Sequence, residues 1–266
     1  MIQDWPTGRT RVIAILGDPV EQVKSPATLT TLLRARGDDA VVVPMRVAAA
    51  DLPALLDALS RVPTLAGLVV TVPHKPAALA AAKTATPRAR RAAAANTLRR
   101  MPGSTWHADM LDGEGFVAGL RATGFEPRGR RALMVGAGGV GGAIAVALMD
   151  AGLAALRVHD VDAARAAALA ARLSAEGADV VATGPDPDGC DLIVNATPVG
   201  MSGDPRTPLD PAALSPGMSV AEVIMEPAVT PLLAAATRIG CRTHPGRLVL
   251  EHQLPLMAEA LLPRSC

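Results

Sequence analysis

The sequence predicts an α/β protein built from two domains. Short runs rich in valine, isoleucine and leucine alternate with longer alanine-rich stretches of helical spacing, which is typical of α/β architecture. Half of the 266 residues are apolar, so the chain can bury a substantial core. A turn signal at 99–106 and a linker-like stretch at 125–131 divide the pattern. Two lobes are therefore expected, 1–107 and 108–245, with the C-terminal helical segment 246–266 joining the first.

The elements follow from these patterns in chain order. Strands are expected where valine, isoleucine and leucine cluster, at 12–16, 41–45, 68–72, 132–135, 156–159, 180–183, 192–195 and 219–223. Helices are expected where apolar residues have helical spacing, at 26–36, 51–60, 76–83, 113–122, 138–151, 162–175, 230–239 and 249–261. No repeat of 20 to 50 residues interrupts this order.

Charge and cysteine content exclude several classes of partner. A formal charge of +1 gives no field for nucleic acid, so a small-molecule substrate is expected, on a monomer or homodimer. Cys190, Cys241 and Cys266 are too few and too scattered for a disulfide framework or a zinc site, which predicts a reducing cytoplasm and no metal. No apolar run approaches the roughly 18 residues of a membrane span, and Pro6 interrupts a charged N-terminus, so no membrane is expected.

Lysine is rare in this chain. Of 26 basic residues, only Lys24, Lys75 and Lys83 are lysine, which leaves 26 − 3 = 23 arginines. A lysine kept among so many arginines tends to stand where a compact ammonium that can lose its proton is needed, although three surface lysines could also survive by chance.

A glycine motif follows the strand at 132–135. It has the G-x-G-x-x-G arrangement between a strand and a helix, which is the context that dinucleotide binding requires, and it consists of Gly136, Gly138, Gly139, Val140 and Gly141. The first glycine permits a tight turn, the second lets backbone approach a pyrophosphate and the third allows close packing of helix on strand. The motif predicts a Rossmann-type domain; a purely structural glycine turn is the alternative.

The next strand ends at Asp160, which lies 160 − 141 = 19 residues past the last glycine of the motif. At this position a carboxylate accepts hydrogen bonds from the ribose hydroxyls of NAD and repels the 2′-phosphate of NADP. NAD is therefore expected. Asp160 could instead cap the following helix, and Arg165 leaves NADP open.

The strand at 192–195 ends in small and polar residues. In open α/β sheets ligands bind at the carboxyl ends of strands, so this loop is expected to line the nicotinamide side of the site. Its candidate residues are Asn195, Thr197, Gly200 and Met201. An ordinary turn after a strand is the alternative.

Separated motifs along the chain together resemble shikimate dehydrogenases over nearly its whole length. They are Lys24-Ser25-Pro26, the Val-Thr-Val-Pro-His-Lys run ending at Lys75, Ala95-Asn96-Thr97, Asp112-Gly113, the glycine motif, Asn195-Ala-Thr197, and the stretch from Gly246 to Gln253. The resemblance implies a substrate-binding catalytic domain at 1–107, an NAD(P)-binding domain at 108–245, and an active-site cleft between them.

The same resemblance implies roles for six residues. Lys75 and Asp112 match the catalytic pair of the family, and the substrate contacts match Ser25, Thr71, Asn96 and Gln253. Oxidising an alcohol removes a hydride and a proton, so a lysine at the hydroxyl with a carboxylate nearby suits the chemistry. The alternatives are a solvated lysine, an aspartate that caps a helix, and polar residues in ordinary structural positions.

The chain departs from the family at several polar positions. Val23, Val69 and Met225 replace a serine, an asparagine and a tyrosine that contact substrate, and Met110-Leu111 replace Asn-Thr. A polar group left without a partner costs about 1–3 kcal/mol, so the substrate itself is open.

Three functions are therefore expected in order. The first is NAD-dependent oxidation of a secondary alcohol on a small cyclic substrate related to shikimate or quinate. The second is an NADP-dependent shikimate dehydrogenase of aromatic amino-acid biosynthesis, and the third a catalytically silent sensor that binds NAD. Retention of Lys75 and Asp112 argues against the third.

Overall fold

The computed structural model describes residues 5–21 and 23–264, so Cys266 lies outside the described residues. The chain forms two compact units: Met1–Leu111 with Leu254–Cys266, and Asp112–Gln253. Each unit has a six-stranded sheet with helices, which confirms the α/β fold class. Among the described residues, no helix is long and apolar enough to cross a membrane.

The first unit has a mixed sheet in the order β2-β1-β3-β5-β6-β4. Its strands are β1 (Arg11–Gly17), β2 (Ala40–Arg46), β3 (Leu65–Val70), β4 (Thr84–Ala85), β5 (Thr97–Met101) and β6 (Thr105–Asp109). Its first four helices are α1 (Ser25–Ala35), α2 (Leu52–Ser60), α3 (Lys75–Ala81) and α4 (Pro87–Ala92). Strands β1, β2 and β3 run parallel, so the loops after their last residues emerge at one edge.

The second unit has a fully parallel sheet in the order β12-β11-β10-β7-β8-β9. Its strands are β7 (Arg131–Val135), β8 (Ala155–His159), β9 (Val180–Ala182), β10 (Leu192–Asn195), β11 (Ser219–Glu222) and β12 (Arg242–His244). The remaining helices are α5 (Asp112–Ala122), α6 (Gly139–Asp150), α7 (Ala163–Ser174), α8 (Pro231–Ile239) and α9 (Arg247–Leu261), and α9 belongs to the first unit from Leu254 onward. The strand order reverses between β7 and β10, and ligands of doubly wound sheets bind at such a point.

The expected elements agree with the structure apart from their ends and a few short pieces. The strand expected at 68–72 is β3, which ends at Val70 because the amide of His74 bonds the carbonyl of Thr71 and turns the chain. The turn expected at 99–106 is the tip of the β5–β6 hairpin. Strands β4 and β12 and helix α4 were not expected, because their two, three and six residues carry too little periodicity to predict an element. The strands implied on either side of the turn at 99–106 are β5 and β6, for which no bounds were expected.

His244 makes the second unit sensitive to acid. It is 3% exposed, and burial, aided by Arg242, lowers the pKa of its imidazole to about 4. In the unfolded chain the imidazole binds a proton more tightly than in the folded protein. The contribution of His244 to the free energy of unfolding is therefore intact above about pH 6.5 and is lost as pH falls towards 4. We expect unfolding in urea to show a loss of roughly 3 kcal/mol over this range. His244→Leu should show a smaller loss; an equal loss would contradict the assignment.

Candidate active site

The glycine motif forms the turn between β7 and α6. Gly136 has a φ of +107°, which L side chains rarely adopt, and its amide bonds the carbonyl of His159 at 2.7 Å. A Cβ at Gly141 would collide with the Gly136 carbonyl, so helix and strand approach as the sequence predicts. In contrast, no atom lies within 4 Å of a Cβ built at Gly138. That open space at the helix N-terminus fits a pyrophosphate, with Gly139 and Val140 beginning the helix.

Asp160 is bonded to the glycine turn. Its Oδ2 accepts from the amide of Ala137 at 2.7 Å, and its Oδ1 accepts from the amide of Asp162 at 2.9 Å. The cap of α7 is Asp162, whose side chain accepts from the amide of Ala164. The alternative that Asp160 caps this helix is therefore wrong. Val161, which follows Asp160, is fully exposed.

The loop after β10 is held by side chains of its own residues. Asn195 is fully buried, and its Oδ1 accepts from the amide and hydroxyl of Thr197 at 3.0 and 2.7 Å. The Thr197 hydroxyl accepts from the amide of Val199 at 3.1 Å. Gly200 has a φ of +96°, and Met201 beyond it is 45% exposed. An exposed apolar side chain on an ordered loop at the switch point can pack on a planar ring.

Glu222, which sequence reasoning did not single out, lies beneath this loop. It is 1% exposed at the end of β11. Burial raises the pKa of its carboxyl, against the opposing effect of hydrogen bonds from Asn195 and Thr230. A carboxylate directly after two buried apolar residues of a parallel strand, Val220 and Ala221, is the sequence signal that could have identified it.

Asp112 and Gln253 come together in the second unit. The Nε2 of Gln253 donates to Oδ1 of Asp112 at 2.6 Å, and the two residues are 6% and 8% exposed, respectively. Asp112 is the first residue of α5, and small residues at Gly113 and Gly115 admit α6 and α9 against that helix. The pair therefore holds its geometry by packing as well as by hydrogen bonding.

Lys75 begins α3 in the first unit. It is 8% exposed, so the alternative of a solvated lysine is wrong. Its carbonyl accepts from the amide of Ala95 at 2.9 Å, and Nε2 of the neighbouring His74 donates to the carbonyl of Val47 at 2.8 Å. These contacts fix the backbone around Lys75 at the edge of the sheet where β1, β2 and β3 end.

Asn96 is oriented by three neighbours. Its Oδ1 accepts from the amide of Leu111 at 3.0 Å and the hydroxyl of Thr97 at 3.1 Å. Its backbone amide donates to the backbone carbonyl of Asp109. The residue is 1% exposed, and Leu111 is equally buried. Leu111, one of the positions at which this chain departs from the family, is therefore part of the core.

The remaining candidates of the first unit surround the same sheet edge. Thr71 is half-buried directly after β3, and its amide donates to the carbonyl of Leu16 in β1 at 2.9 Å. Ser25 is buried as the first residue of α1, Val23 is half-buried in the preceding loop, and Val69 is 5% exposed on β3. In the second unit, Met225 is half-buried in the loop after β11. In both units, most of the candidates thus lie at the ends of strands or in the segments that follow them.

A family model and the similar proteins of known name both point to shikimate dehydrogenases. Residues 15–98 match the model of the shikimate dehydrogenase substrate binding domain. A shikimate dehydrogenase (NADP(+)) of Acidiphilium cryptum is 39% identical over 247 residues, which cover 93% of this chain and 88% of that protein.

Solved structures with a similar fold cover nearly the whole chain. The 5-ketofructose reductase of a Gluconobacter strain is 29% identical with a TM-score of 0.87, covering 97% of this chain and 95% of its own. Quinate dehydrogenase from Corynebacterium glutamicum, in complex with NAD, is 30% identical with a TM-score of 0.87, covering 96% and 94%.

Proposed function

The chain belongs to the shikimate dehydrogenase family of NAD(P)-dependent oxidoreductases, and we propose that it interconverts a secondary alcohol and a ketone on a small cyclic substrate of the shikimate class. The observation that carries this proposal is the burial of Lys75 within the stretch that matches the substrate-binding domain. A buried lysine beside a reacting hydroxyl can exchange its proton as the alcohol is oxidised.

The proposed division of labour follows the two units. The first binds the substrate through Ser25, Thr71 and Asn96 and supplies Lys75, and the second binds the dinucleotide. Asp112, held by Gln253, supplies the carboxylate of the catalytic pair. The dinucleotide, when bound, exchanges a hydride with the substrate carbon, while the side chains bind and orient the substrate and move the hydroxyl proton.

Shikimate is the first substrate to test, because the curated relatives carry that name. This is the function that the sequence placed second. A second candidate is a cyclic polyol without a carboxylate: Val23 and Met225 replace two polar contacts, and the Gluconobacter relative is named for a different substrate. Following reduced nicotinamide absorbance with shikimate, quinate and their methyl esters tests both, since only the first candidate requires the free carboxylate.

For the cofactor we propose NAD. The names of the curated relatives favour NADP, whereas Asp160 supports NAD. Its carboxylate is fixed by two backbone amides at the end of β8, where a ribose diol can donate to the oxygens and a 2′-phosphate would meet negative charge. The quinate dehydrogenase relative was solved with NAD.

We expect NAD to be preferred over NADP by at least about tenfold in kcat/KM, because a carboxylate repels the 2′-phosphate. Asp160→Ser should reduce this ratio. Asp162→Ser is the matched control, because it removes a carboxylate two residues away that caps α7. An unchanged ratio in Asp160→Ser, or an equal change in both variants, would assign Asp160 a structural role only.

A further inference from the structure

Glu222 uses both carboxylate oxygens to join two loops of the second unit. Its Oε1 accepts from Nδ2 of Asn195 at 2.9 Å, and its Oε2 accepts from the hydroxyl of Thr230 at 2.6 Å. All three side chains are 1% exposed or less. Each oxygen therefore serves a different segment of the chain, away from competing water.

On one side, Glu222 is linked by hydrogen bonds to the loop after β10. Asn195 connects Glu222 to that loop, because its Nδ2 also donates to the carbonyl of Val199 at 3.1 Å while its Oδ1 accepts from Thr197. A shift of the Asn195 amide would break several of these bonds together. The position of Gly200 and Met201 thus depends on Glu222 through one intermediate side chain.

On the other side, Glu222 is hydrogen-bonded to the segment that leads into α8. Thr230 caps α8 by accepting from the amide of Leu233 at 3.2 Å, so its hydroxyl hydrogen is available to Glu222. Farther out, the amide of Ser202 donates to the carbonyl of Glu226 at 3.1 Å. The loops 196–204 and 225–230 are therefore joined at the base by Glu222 and near the tip by backbone.

We infer that Glu222 is a positioning residue that fixes loop 196–204 for the nicotinamide end of the dinucleotide. The inference rests on the proposed function, which places this loop beside the ring. Both neighbours are donors, and only a carboxylate presents an acceptor to each. The uncharged isostere in Glu222→Gln would turn an NH2 group towards one of them and leave a buried donor unpaired.

The test separates the nicotinamide end from the rest of the cofactor. ADP-ribose contains the adenosine and pyrophosphate but lacks nicotinamide, so its affinity reports only the glycine turn and Asp160. We expect Glu222→Gln to weaken NADH, or NADPH if that is the preferred form, about tenfold by nicotinamide fluorescence. ADP-ribose affinity, measured by calorimetry, should stay within about twofold of the wild type.

Asp191→Asn is the matched control. Asp191 directly precedes β10 at the opposite edge of the sheet, and its carboxylate accepts from the amide of Arg131 at 2.9 Å. This variant should leave both affinities unchanged. If Glu222→Gln does not fold, Thr230→Val, which loses the hydroxyl, is compared with Thr230→Ser, which keeps it; only the valine variant should lose NADH affinity.

Two results would overturn the inference. An equal loss of NADH and ADP-ribose affinity would make Glu222 a general stabilising residue, and no loss of either would make it irrelevant to binding. A wild-type chain that binds neither NADH nor NADPH would overturn the proposed function together with this inference. Wild-type binding with an unchanged affinity ratio in the variants overturns the inference alone.

Discussion

Replacing Lys75 by alanine is expected to lower kcat at least roughly a hundredfold while dinucleotide affinity stays nearly unchanged. Positioned acid–base groups contribute about 10² to 10⁴ in rate, and Lys75 lies in the first unit, whereas the glycine turn and Asp160 lie in the second. Steady-state kinetics on the best substrate of the panel, with NADH titration alongside, measures both quantities. Lys75→Arg should fail as well, because a guanidinium does not release its proton.

Lys83→Ala is the control for this experiment. Lys83 lies eight residues away in the same unit and is exposed, so its removal should leave kcat unchanged. Near-normal kcat in Lys75→Ala would contradict the catalytic assignment. Similar losses in both lysine variants would instead indicate a general effect of positive charge.

Restoring two polar groups in the first unit is expected to raise kcat/KM for shikimate by about a hundredfold. Val23→Ser and Val69→Asn return a hydroxyl and an amide to positions that match family contacts, and each missing partner costs about 1–3 kcal/mol. The hydroxyl would join Ser25, which is buried at the first turn of α1. Kinetics of the double variant with shikimate and with its methyl ester measure the gain.

Val43→Ser is the control for the added hydroxyl, because Val43 is 37% exposed on the edge strand β2. Val69 is 5% exposed, so thermal unfolding of the double variant must show that the amide is accommodated. Efficient use of shikimate by the wild type, with no response to the double change, would show that the apolar residues are compensated locally.

Much of this protein was predictable from local sequence. The glycine motif placed Gly136 and Gly141 in a strand-to-helix turn, because a positive φ at the first and a close helix–strand approach at the second each exclude a side chain. The long strands and helices were predictable too, since the spacing of apolar residues along the sequence shows which face of each element is buried. The family motifs likewise identified Lys75 as a candidate before its burial was known.

The tertiary structure decided what depends on residues far apart in the chain. It showed that Asp160 accepts from the glycine turn, whereas Asp162 caps α7. Which aspartate takes which role depends on where the amide of Ala137 lies. The structure paired Asp112 with Gln253 across 141 positions. It also revealed Glu222, whose sequence neighbours give no hint of its two donors. Hydrogen bonds of this kind join distant segments, so no local pattern can predict them.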